Sequence, residues 1–259
     1  QQVIVDNRGM IGAEITARAA PDGYTIMLYG SPLWLSPVMR DKVPYDPEKD
    51  FAPLTILVTT PNILVVHPSV PVKNAEELIA LARSKPGDLN YGAGSAGSTQ
   101  HLAAELFKAM ARVNIVRIPF KGSGPALNGV IAGQVQVMFP SAGSAGPHIR
   151  SGRLKALAVS SAQPSALAPG LPPLAASGVP GYESSSPFGL FAPAGTPAAL
   201  VNQLSQATVR MLNTPDTRER LFNSGVEVVA STPAQLGALV RSEMAKWGKL
   251  VHEAGLREE

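Results

Sequence analysis

The sequence predicts an α/β fold of parallel-type sheets flanked by helices, and three observations carry that prediction. Short β-branched runs alternate with helix-period stretches from the start of the chain to about residue 160. Glycine- and serine-rich loops follow the strands and open into helices. Hydrophobic residues make up 45% of the chain and charged residues 16%, the balance of an ordinary folded protein. At 259 residues the chain suffices for one large core or for two lobes.

The elements follow in order. Val3-Ile4-Val5 reads as a strand, Ile11 to Ala19 as a helix stopped by Pro21-Asp22-Gly23, and Tyr24 to Tyr29 as a strand. This β-α-β alternation predicts parallel pairing. After a Pro/Asp-rich connector, Phe51–Val58 and Ile63–His67 are extended segments, with Pro61-Asn62 between them. Asn74 caps a helix whose stripe is Leu78, Ile79, Leu81 and Ala82, and Glu77 stands at the capping-box spacing. Then come a strand over Leu89–Tyr91, a helix from Gln100 to Ala111, a strand over Val113–Pro119, a helix over Ala126–Ile131 and a strand over Val135–Phe139. Pro140 to Gly146 reads as a loop, Pro147-His148 as a helix start and Leu154–Ser160 as a strand. Residues 162–181 carry five prolines and read as a surface loop before an extended crossing segment, Ser184–Phe191. Thr196 is expected to cap a long helix with Pro197 at its first position. Two further helices, Pro215–Ser224 and Pro233–Glu253, complete the chain, which shows no internal repeat.

Composition excludes several functions. The chain has no cysteine, which removes disulfides, thiolate metal sites and cysteine nucleophiles. Its 22 Lys and Arg are scattered, without the clustered basic face of a nucleic-acid binder. A net charge of +3 and a pI of about 9.2 suit capture of a small anion. The four histidines, His67, His101, His148 and His252, lack metal-ligand spacing, so no metal or cofactor is expected. No stretch is long and apolar enough for a membrane span, and no signal peptide is visible ahead of Gln1-Gln2, as expected of a processed or truncated chain.

The loops carry the functional signal. Gly30-Ser31, Gly92–Thr99, Lys121–Gly124 and Pro140–Gly146 each follow a predicted strand. In a parallel sheet such loops share the carboxyl edge, where ligands bind. Helix N-termini there offer unpaired N–H groups and partial positive charge to an anion, and Ser95, Ser98 and Thr99 add neutral hydroxyls. Gly92–Gly97 also matches a dinucleotide fingerprint, but no acid follows for the ribose: the next strand ends in Pro119-Phe120-Lys121. Ala93–Gly97 is a relaxed nucleophile elbow, so a serine hydrolase using Ser95 is the alternative, with His148 or His252 and Asp216 as its partners. His101, in the first turn after the glycine loop, is expected to cap or pack locally rather than to meet a ligand. Trp34 and Trp247 read as packing residues.

The order of these loops resembles one family, the Bug or TctC-like substrate-binding proteins of tripartite tricarboxylate transporters. The matching stretches include Val5–Arg8, Ala19–Thr25, Tyr45–Phe51, Asn90–Ser98 with His101-Leu102-Ala103, Pro119–Gly122, Gly152–Val159 and Phe191–Pro197. The resemblance implies a two-lobed periplasmic binding protein of type II, with a cleft between lobes. The lobes are expected over 1–60 with 186–259, and over 61–185. It implies a receptor that captures a small organic carboxylate for a membrane transporter, performs no chemistry, and is a periplasmic monomer without nucleic-acid partners. A periplasmic sensor with the same clamp is an alternative. Carried onto this chain, the ligand-binding residues are Ser95, Ala96, Gly97, Ser98 and Thr99, flanked by Lys121, Gly122, Pro140 and Ser141, with Gly30 and Ser31 from the first lobe. The family's first strand and its glycine-rich loop are expected to be missing before Val3. Pro140, where some members carry Asp, tilts the expectation away from amino-acid ligands.

Overall fold

The structure is a computed structural model that describes residues 2–40, 42–94, 97–253 and 255–257. Ser95 and Ala96, both expected in the site, lie outside the described residues. In chain order the elements are α1 (Met10–Ala17), β1 (Met27–Gly30), α2 (Pro32–Met39), β2 (Phe51–Pro61), β3 (Ile63–Val66), α3 (Ala75–Ser84), β4 (Asn90–Ala93), α4 (Thr99–Ala111) and β5 (Val116–Pro119). There follow α5 (Ser123–Ile131), β6 (Val137–Met138), α6 (Ala142–Arg150), β7 (Lys155–Val159), β8 (Ser185–Pro193), α7 (Ala198–Leu212), α8 (Pro215–Asn223), β9 (Glu227–Val228) and α9 (Pro233–Glu253).

The chain divides into two compact units, one of 1–58, 187–219 and 228–259, the other of 59–186 and 220–227. The divisions fall inside β2, β8, α8 and β9. The first unit carries the sheet β1-β8-β2-β9. Its core joins Leu54, Leu190 and Ala192 to an aromatic chain in which Phe51 and Phe191 meet edge-on, with centroids 6.3 Å apart. The second unit carries the sheet β5-β4-β6-β3-β7. Leu64, Val66, Tyr91, Ala93 and Phe139 face α3 and α4, while Ile63, Val65 and Met138 face α5 and α6. That alternation is the period of two expected of a sheet covered on both sides.

Local signals explain several boundaries. The Asn74 side chain accepts from Glu77 N at 2.8 Å, and the Glu77 carboxylate reaches back to Lys73 N at 2.7 Å. Ser98 caps α4. At α7 the cap is Pro197, one residue later than expected, because the Thr196 hydroxyl donates to Pro193 O at 2.8 Å instead.

Other expectations are corrected. The sheets are mixed: β4 pairs parallel with β5 and β6, but β3 pairs antiparallel with β6 and β7, and β1 pairs antiparallel with β8. The neighbour of β1 comes from more than 150 residues away, so the local β-α-β order does not set its direction. Val3, Ile4 and Val5 form no strand and are 80–84% exposed, since an extended run needs a ladder partner. The Pro140–Gly146 loop is shorter than expected, because α6 begins at Ala142 and continues through Pro147 to place His148 in its last turn. Residues 162–181 are not wholly superficial: Leu174 and Val179 are buried in the second core.

Candidate functional site

Three of the expected loops meet within the second unit. Strands β5, β4 and β6 are adjacent and parallel, so the loops after them leave from one carboxyl edge. Each opens a helix: α4 capped by Ser98, α5 by Gly122 and α6 by Ser141. Gly94 lies directly against the next loop. A Cβ on it would sit 3.2 Å from Gly122 C and 3.3 Å from Ser123 N, both backbone atoms, so a side chain there would force the two loops apart. Phe120 N donates to Ala93 O at 2.9 Å and continues the ladder into the loops.

The edge is built to present N–H groups. The first-turn amides of a helix have no intrahelical carbonyl, and the dipole makes that end partially positive. Ser98 and Thr99 are half-buried there, while Lys121, Ser123 and Gly124 are exposed. Ser141 is half-buried, and its hydroxyl lies 2.9 Å from that of Ser144. Pro140 is buried, and its carbonyl accepts from Ile63 N at 2.8 Å, so it fixes the loop rather than offering a donor.

Helix α4 is tied at its start and along its body. Tyr91 of β4 donates to the Glu105 carboxylate, which Lys108 also binds at 2.7 Å, and burial with the Glu105 charge raises the Tyr91 pKa. Tyr182 donates to Ala103 O at 2.8 Å. His101 is buried, and its Nδ1 accepts from Gly97 N at 3.1 Å, the local capping role expected of it. Burial, reinforced by the Arg117 and Lys108 charges, pushes its imidazole down from 6.5 to about 3. The ring is therefore neutral, with the proton on Nε2, and brings no charge to the site.

Sequence reasoning missed two residues at this edge. Arg117 of β5 donates through Nη2 to Gly94 O at 3.3 Å and so braces the loop before α4. The position follows only from register, since Arg117 stands beside Tyr91 in the parallel pair. Asn62 begins the same edge from the antiparallel side and bridges Ser141. No motif signals it.

Gly30 and Ser31, expected as donors, lie in the first unit, at the end of β1 and the N-cap of α2. Ser31 is 1% exposed and its hydroxyl has no partner. The histidines invoked for a hydrolase sit in helices, His148 in α6 and His252 in α9, and not in loops after strands. Among the described residues no cluster of ligating side chains could hold a metal, and no helix is long and apolar enough to cross a membrane.

This mixed α/β architecture is that of periplasmic binding proteins such as BugD, and several solved structures superpose closely on it. One is the R. palustris protein Rpa4515 with adipate, at a TM-score of 0.89 and 34% identity over 97% of this chain and 86% of that one. Another is MatC of Rhodopseudomonas palustris with bound malate, at a TM-score of 0.80 and 32% identity over 94% and 84%. BugT of Bordetella pertussis (strain Tohama I) is 32% identical over 99% of this chain and 81% of its own length. The family model "Tripartite tricarboxylate transporter family receptor" matches residues 1–256, and the chain belongs to that family.

Proposed function

We propose that this protein is a periplasmic receptor that captures a small organic carboxylate, performs no chemistry on it, and hands it to a membrane transporter. The observation that carries the reading is the gathering of three helix N-termini at one strand edge, with serine and threonine hydroxyls beside them. These are neutral donors, matched to an anion, and no carboxylate side chain stands among the proposed ligand residues. Those residues are Gly97, Ser98, Thr99, Lys121, Gly122 and Ser141, with Ser95, Ala96 and Pro140 completing the loops. The similar proteins Rpa4515 and MatC hold adipate and malate, which supports a dicarboxylate as the guest.

A thermal-shift screen over aliphatic dicarboxylates and hydroxy acids tests the reading. A ligand at 100 times its Kd stabilises the fold by about 2.7 kcal/mol, a rise in Tm of about 5–10 °C for a chain of this size. The expected result is such a rise with at least one acid and none with uncharged analogues. A flat response across the whole set would overturn the proposal.

A further inference from the structure

Asn62 is fully buried, yet neither its Oδ1 nor its Nδ2 has a hydrogen-bond partner. Its backbone, in contrast, is satisfied on both sides. Asn62 N donates to Ser160 Oγ at 2.8 Å, Asn62 O accepts from Ser160 N at 2.8 Å, and the next residue, Ile63, donates to Pro140 O. The orphaned groups are thus confined to the side chain, in a place where the backbone is rigidly held. A buried amide left unpaired is costly, and such groups in native proteins are normally matched by something.

The location says what that partner is. Asn62 precedes β3 at the edge where β4, β5 and β6 end, and it stands opposite Ser141, the cap of α6. Along β3 the side chains alternate, Ile63 and Val65 toward α5 and α6, Leu64 and Val66 toward α3 and α4. The alternation places the Asn62 amide on the α4 face, and it places Ser141 there too, two residues after Phe139. Directly opposed residues in such a pair have Cβ atoms about 5 Å apart. The amide is therefore built into the donor edge, on the side from which α4 presents its first turn.

We infer that Asn62 is a specificity-determining residue of the binding site, an inference that rests on the receptor reading proposed above. Its Nδ2 donates to an anionic oxygen of the guest, and its Oδ1 accepts from a hydroxyl or a protonated carboxyl. This pair of opposite groups distinguishes it from the helix amides, which only donate, and selects guests that carry a donor beside the carboxylate.

The test uses the whole chain, with adipate and malate as probes, and compares wild type with Asn62→Leu and Asn62→Asp by calorimetry and thermal melting. Asn62→Leu keeps the shape and removes both orphans. Without ligand, its Tm is expected to rise by about 2–4 °C, while affinity for the better-bound acid falls at least tenfold and the malate-to-adipate affinity ratio falls with it. Asn62→Asp sets a negative charge against the guest and weakens both acids at least as much. Unchanged affinity in the variants would overturn the inference and assign the amide to an enclosed water. A lower Tm without ligand in Asn62→Leu would likewise overturn it, by making Asn62 a packing residue. Failure of the wild type to bind any carboxylate would be a different result, sinking the receptor reading and this assignment together.

Discussion

His101 shows how a single residue tunes the site without touching charge. Its Nδ1 holds Gly97 N, and its proton-binding is suppressed by burial first and by Arg117 and Lys108 second. The folded imidazole stays neutral down to about pH 3, whereas the unfolded one takes a proton near 6.5. Its contribution to stability is therefore complete above pH 6.5 and is lost progressively as pH falls toward 3. In His101→Asn, whose amide oxygen can replace Nδ1 as acceptor, the acid-side slope of stability should be shallower by up to about 1.4 kcal/mol per pH unit. Urea melts at a series of pH values would show it, and parallel slopes for the two proteins would refute the assignment. Neutral His101 adds no charge to the proposed site, so carboxylate affinity should not follow the titration of an ordinary histidine.

At the scale of the element, capping positions each helix. The α3 cap is reciprocal, Asn74 to Glu77 N and Glu77 to Lys73 N. Asn74→Ala should cost about 1 kcal/mol, seen as a Tm lower by about 2–4 °C, with ligand affinity unchanged because α3 caps no ligand loop. An affinity loss in that variant would show that the second unit transmits strain across its sheet. Helix α4 differs: its start and its body are both tied, through Ser98, His101, Glu105 and the Ala103 carbonyl, so its N-terminus is held in place. The α3 cap was legible in the sequence, because Asn74 and Glu77 stand at the capping-box spacing, whereas Ser98 reads only as a hydroxyl donor for the guest. The α6 start was not, since small residues with an internal proline carry no apolar stripe and Ser141 makes no side-chain cap bond.

At the scale of the molecule, distant segments complete the second unit. Residues 220–227, far along the chain, belong to it. Gly225 accepts at its carbonyl from the Thr60 hydroxyl at 2.9 Å, across 165 residues, and packs against the first turn of α6. Its φ is +88°, and a Cβ on it would lie 2.3 Å from Gly143 Cα. Gly225→Ala therefore meets a backbone atom in a conformation that side chains avoid, and should destabilise by more than about 2 kcal/mol. Its Tm should fall by about 4 °C or more in a melting experiment. A variant that melts like wild type would show that Gly225 does not approach the α6 backbone this closely.

The sequence by itself determined the α/β class, the cap of α3, the glycine-serine loops and their order, and the family those loops point to. Each of these is written within a few neighbouring residues, in periodicity, cap spacing or turn chemistry. Tertiary structure alone decided that β1 and β3 run antiparallel to their neighbours, that Arg117 braces Gly94, that His101 is neutral, and that Asn62 stands buried and unpaired beside Ser141. Strand direction, burial and pairing depend on which distant segments arrive alongside, as Ser160 does for Asn62 across 98 residues. Local chemistry cannot encode that, because the groups that satisfy or abandon a side chain are chosen only when the sheet closes.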